Sequence, residues 1–186
     1  MEAFLRATDI IDWHDPAIER LARELAAETP LETAKRCFEW VRDEIRHSYD
    51  YQCNPVTWRA SDVLRERTGY CYAKSHLLAA LMRANGIPTG FCYQRLTAYD
   101  EGQYSLHGLN VVYLPDFGWY RVDARGNKVG VNAQFMPPVE QTAFQVSAAG
   151  EADFSAILAE PLPIVLRALQ TTPTWDQLAE NLPDVR

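Results

Sequence analysis

The stretch from Cys71 to Asn85 constrains this chain more than any other. Ala73, Leu77, Ala80 and Ala84 recur at helical spacing, and Leu78, Leu81 and Met82 make the flanking faces apolar as well. A helix that is apolar nearly all round has no side to give to water, so other elements must enclose it. The run Thr68-Gly69-Tyr70-Cys71-Tyr72-Ala73-Lys74-Ser75 leads straight into it and places a thiol at its first turn. Unpaired N–H groups and the macrodipole at a helix start favour negative charge there, and hence thiolate over thiol. Asn85-Gly86-Ile87-Pro88 stops the helix.

What encloses this helix can be read on either side of it. Asp15-Pro16 supplies an N-cap and first residue for a helix with Ile18, Leu21 and Leu25 on one face. Thr29-Pro30-Leu31-Glu32 is a capping box, followed by Ala34, Phe38, Val41 and Ile45 at helical spacing. Residues 47–58 mix aromatic and polar side chains without a period and read as a loop. A short helix from about Ser61 to Arg67 is expected to end at Gly69. Beyond Pro88, the residues Phe91, Tyr93, Leu96, Val111, Val112, Tyr113 and Tyr120 mark β-type runs. Helices first and strands later predict an α+β fold, in which N-terminal helices and a buried central helix pack on an antiparallel sheet. From about 137 onward, Pro137-Pro138, a small-residue patch at 147–150, Pro161, Pro163 and an amphipathic piece with Ile164, Val165 and Leu169 predict a segment that wraps the core. No composition shift divides the 186 residues, so a single domain over 1–186 is expected.

Charge removes several functions from consideration. A net charge of −7 and no Lys/Arg cluster argue against nucleic acid as a partner. Glu2, Arg6, Asp9 and Asp12 interrupt the N-terminal apolar residues, which fits neither a signal peptide nor a membrane span, so no membrane partner and a cytoplasmic location are expected. Cys37, Cys53, Cys71 and Cys92 are too scattered for a disulfide scaffold and are expected to be reduced. No Cys/Cys or Cys/His pair has zinc spacing, so neither metal nor cofactor is expected.

Downstream of the thiol lie His107, opening a β-rich run to Leu114, and Asp123, closing the run from Trp119. Cysteine, histidine and aspartate in that order are the parts of an activated acyl-transfer triad. His14, His47 and His76 compete for the role of base. His76 follows Cys71 by five positions, an offset that turns two helical side chains apart, whereas a neighbouring strand can present His107 to the helix start. His107 and Asp123 share a face of their hairpin only if odd residues stand opposite odd ones, which Pro115-Asp116-Phe117-Gly118 does not itself decide. The Cys71 backbone N–H is a candidate oxyanion donor, with Gln52 preferred over Trp58 as the second.

These motifs resemble the transglutaminase-like superfamily, relatives of papain-type cysteine proteases. Gly69-Tyr70-Cys71, Arg83-Ala84-Asn85-Gly86-Ile87-Pro88, the strand led by His107 and Trp119-Tyr120-Arg121-Val122-Asp123 carry the likeness, over about residues 35–125. The resemblance implies Cys71 as nucleophile, His107 as general base and acid, and Asp123 as orienting carboxylate. Departures are Gly108-Leu109, where members often carry an aromatic two positions after the histidine, and residues 124–128. No calcium-loop pattern is present. The expected function is acyl transfer from an amide or peptide carbonyl through a thioester, acting as protease, deamidase, amidase or transglutaminase on a peptide, protein or small amide, with hydrolysis preferred. A catalytically silent peptide-binding module and a redox-sensing thiol protein are the alternatives.

Overall fold

A computed structural model describes residues 1–98 and 102–185. After a short 3-10 turn at Glu2–Phe4, helices α1 (Pro16–Leu25) and α2 (Pro30–Glu44) start where their caps predict. Asp15 Oδ1 accepts from Ala17 N at 2.8 Å and Thr29 Oγ1 from Glu32 N at 3.2 Å. A two-residue strand β1 (Arg46–His47) and a single-turn helix α3 (Ser48–Tyr51) come next, followed by α4 (Ala60–Glu66) and β2 (Thr68–Gly69). The central helix is α5 (Cys71–Ala84), and the sheet strands are β3 (Thr89–Thr97), β4 (Tyr104–Leu114) and β5 (Gly118–Val122). The chain ends with a β6–β7 hairpin (Gln134–Met136, Val139–Gln141), β8 (Ala152–Asp153), α6 (Pro163–Thr171) and α7 (Trp175–Glu180).

Every residue of α5 from Cys71 to Arg83 is buried. On one side it meets α1, α2 and α4, and on the other β3 and β4. The sheet runs β5-β4-β3-β8 with antiparallel neighbours throughout, so the expected α+β architecture is the observed one. Asn110 pairs with Val122 and Val112 with Tyr120, so even residues oppose even ones and odd oppose odd. That register turns His107 and Asp123 to the same face.

Two local expectations fail. Residues 47–58 are not all loop, because Arg46 and His47 pair in parallel with Thr68 and Gly69 and a helical turn follows. The helix expected to end at Gly69 ends earlier, with Arg67 in the left-handed region at φ 56°. Gly69 is needed for a different reason: a β-carbon there would lie 3.1 Å from Ala73 Cβ. The expected wrapping segment is present, with Val165, Leu169 and Leu178 buried against the core. No helix among the described residues is long and apolar enough to cross a membrane.

Candidate active site

Cys71 is the first residue of α5, where backbone N–H groups have no intrahelical acceptor. It is 7% exposed and opens onto a cleft of about 350 Å³. His107 stands in the middle of β4 rather than at its start, with 5% exposure, and faces the same cleft. Its Nε2 lies 2.8 Å from Asp123 Oδ2, just past the end of β5. With Nε2 engaged, Nδ1 is the nitrogen left to serve the sulfur.

Asp123 is 1% exposed and every contact on it is directed. Oδ1 accepts from Arg125 N at 3.1 Å, and Oδ2 also accepts from Ala143 N at 2.9 Å. Burial alone would raise this carboxyl, but the His107 charge and hydrogen bond, with the two backbone N–H groups, hold it below its ordinary value. Burial alone would likewise depress His107. The Asp123 charge, followed by the neighbouring Cys71, outweighs that and raises the imidazole to about 10. Phe144 packs edge-on against the imidazole, ring centroids 5.0 Å apart, and closes it off.

The helix and the strand approach unusually closely. The Tyr72 hydroxyl donates to Leu106 O, and Ser75 Oγ contacts Gly108 O at 3.3 Å. A β-carbon at Gly108 would lie 2.8 Å from the Tyr72 ring. Glycine at 108 therefore lets Cys71 and His107 meet.

The competing residues lie elsewhere. His76 is enclosed, its Nδ1 2.7 Å from Trp58 O, and burial drives it down to about 4. His14 is exposed beside Glu19. Gln52 is exposed in left-handed conformation at the end of α3 and does not line the cleft. Trp58 packs on the core. His47 does reach the cleft, carried there by β1 beside the Tyr70 ring.

Sequence reasoning passed over several neighbours. Lys74 has no exposed surface; its Nζ donates to Ile45 O at 2.5 Å and Arg42 O at 3.3 Å, tying the end of α2 to α5. Burial first, then Arg125, lowers this lysine to about 7. Arg125, Lys128, Phe144 and Gln145 come from loops that bend back to line the cleft. Position in the chain gave no sign of Phe144 and Gln145, which tertiary folding alone brings there, whereas Arg125 and Lys128 lie in the 124–128 stretch already marked as a departure.

The transglutaminase-like superfamily matches residues 19–124, more than half of the sequence. This chain belongs to that superfamily. No curated protein matches it. Among solved structures it is similar to one from Cytophaga hutchinsonii, itself only provisionally described as a cysteine protease, at 20% identity and a TM-score of 0.52. The match covers 66% of this chain and 40% of that one. It is also similar to the periplasmic domain of TgpA from Pseudomonas aeruginosa, at 22% identity and a TM-score of 0.49, over 65% of this chain and 45% of that one. The same domain bound to ethylmercury matches at 21% identity and a TM-score of 0.49, over 65% and 46%. The superfamily member described here thus spans less than half the length of each of these three structures. At 20% identity the likeness to the Cytophaga hutchinsonii structure speaks for the fold.

Proposed function

We propose that this superfamily member is a cysteine-nucleophile acyl-transfer enzyme acting on amide carbonyls. The observation that carries the reading is the 2.8 Å His107–Asp123 pair facing, across one cleft, a cysteine at the first turn of a buried helix. His107 takes the Cys71 proton before attack, sulfur then bonds to the carbonyl carbon, and the Cys71 N–H steadies the oxygen as it gains charge. The C–N bond then breaks, His107 returns the proton to the leaving amine, and a thioester remains. Water attacks that thioester, giving its proton to His107, and releases the acid and the thiol. Asp123 holds the imidazole with Nδ1 toward sulfur throughout. Hydrolysis is the reading we favour, with amine transfer as its variant. Gln52, exposed and off the cleft lining, is not retained as a donor. All four cysteines are free, which suits a reducing, cytoplasmic setting that cell fractionation would check.

The test is alkylation by iodoacetamide in protein whose other three cysteines are serine. Cys71 should react at pH 6.5 at least about tenfold faster than in the same protein carrying His107→Ala. Equal rates, or a Cys71 that does not react in folded protein, would sink the nucleophile assignment and favour the alternative, a catalytically silent peptide-binding module.

A further inference from the structure

A second cluster of charged side chains stands beside the triad. Arg125 donates to Asp50 through Nη1 at 2.6 Å and Nη2 at 3.2 Å, and Lys128 Nζ donates to the same carboxylate at 2.6 Å. Arg125 and Lys128 line the cleft, with Asp50 behind them, so two cations face the space and share one carboxylate. Burial would raise Asp50, yet the hydrogen bonds from Arg125 and Lys128 bring it down to about 2, so that one charge is fully committed. His47 lines the same cleft. Its Nδ1 is sealed from solvent 3.7 Å from Asp50 Oδ2, beyond hydrogen-bond distance, and has no partner among the described residues. Glu151 also lines the cleft and keeps its negative charge, brought down to about 2 by hydrogen bonds from Ser147 N at 2.9 Å, Ala148 N at 3.0 Å and Thr97 N at 2.9 Å, which occupy its oxygens.

The strand edge beside His107 is occupied too. Leu106 N donates to Pro183 O at 2.8 Å, Leu106 O accepts from the Tyr72 hydroxyl, and Gly108 O contacts Ser75 Oγ. An extended polypeptide binds by adding main-chain hydrogen bonds to such an edge, and these groups are already used. A cleft of about 350 Å³ is the size of a small-molecule site.

We propose that the cleft takes a short amide substrate bearing a carboxylate, which Arg125 and Lys128 anchor beside Cys71 and His107. Arg125 and Lys128 each carry N–H donors beyond those given to Asp50, and these would hold the substrate carboxylate. This inference rests on the reading of Cys71 as nucleophile.

The experiment compares alkylation of Cys71 by iodoacetate, which carries a carboxylate, with iodoacetamide, which does not, each rate divided by that of glutathione. The iodoacetate preference should exceed that of glutathione and shrink at high salt. Because the protonated imidazole also attracts an anion, the decisive comparison is among variants. Lys128→Ala should cut the preference about threefold and Lys128→Glu further, while Lys35→Glu, the same charge change on the exposed face of α2, leaves it alone. N-acetylglutamate should protect Cys71 and unfolded casein should not. A preference unmoved by Lys128→Glu, or protection by casein and not by N-acetylglutamate, overturns the proposal while leaving the nucleophile standing. A Cys71 inert to both reagents overturns the nucleophile and this inference together.

Discussion

A β-carbon at position 108 has nowhere to go, since the Tyr72 ring is 2.8 Å away and Tyr72 Cα 3.4 Å away. Gly108→Ala should push α5 off β4, slowing Cys71 alkylation about tenfold at a stability loss of about 1–3 kcal/mol, read from labelling and urea unfolding on one sample. Asp123→Asn keeps the shape but takes away the charge that holds the imidazole. Hydrolytic kcat/KM should fall roughly a thousandfold, measured on any amide the wild type turns over. The raised His107 also sets a pH dependence. Because folding raises its pKa from the usual value of about 6.5, its contribution to stability is fully present below that value and fades as pH climbs toward about 10. Lys74, lowered by burial to about 7, shifts stability the opposite way from about pH 7 upward, across most of that window, so the wild-type curve alone mixes the two. The stability difference between wild type and His107→Ala should therefore shrink steadily from pH 6.5 to 10 in denaturant titrations, and a constant difference would refute the ion pair. Cys71, His107 and Asp123 were legible because the chain carries each in a recognisable local setting. Phe144, Gln145 and Leu182 were not, because only packing brings them to the cleft.

Among the elements, α1, α2, α5 and the three long strands were legible from caps and periodicity. Their side chains repeat often enough to show which face is buried. In the segment 46–69 only α4 was legible, close to where a short helix from about Ser61 to Arg67 was expected; β1 and β2 were not, because they are two residues each and exist by pairing with one another across the chain. A two-residue strand has no period to read, and α3 is a single turn. Arg67, a non-glycine residue in left-handed conformation, ends α4 where a glycine two positions later looked the better stop. The same contrast predicts two mutational costs. Thr29→Ala removes only a cap and should lose about 1 kcal/mol. Leu77→Ala empties space at a fully buried position of α5 and should lose about 2–5 kcal/mol, both read from urea midpoints at constant slope.

Across the whole molecule, residues 175–185 join the two halves of the cleft. Trp175 O accepts from the Tyr70 hydroxyl at 2.5 Å next to the cysteine, and Pro183 O accepts from Leu106 N at 2.8 Å next to the histidine. Arg95 grips Asp184 through two contacts of 2.7 Å, and Leu182 lines the cleft. Asp184→Ala should speed hydrogen exchange at the Leu106 amide while leaving amides in the middle of α5 protected, a result that mass spectrometry of peptic fragments resolves. The Pro183 tether makes this segment a mechanical handle on the site. Tension applied beyond Asp184 would load the Arg95 clasp first, then the strand holding His107, so pulling would slacken the histidine before the helix bearing the cysteine feels any force.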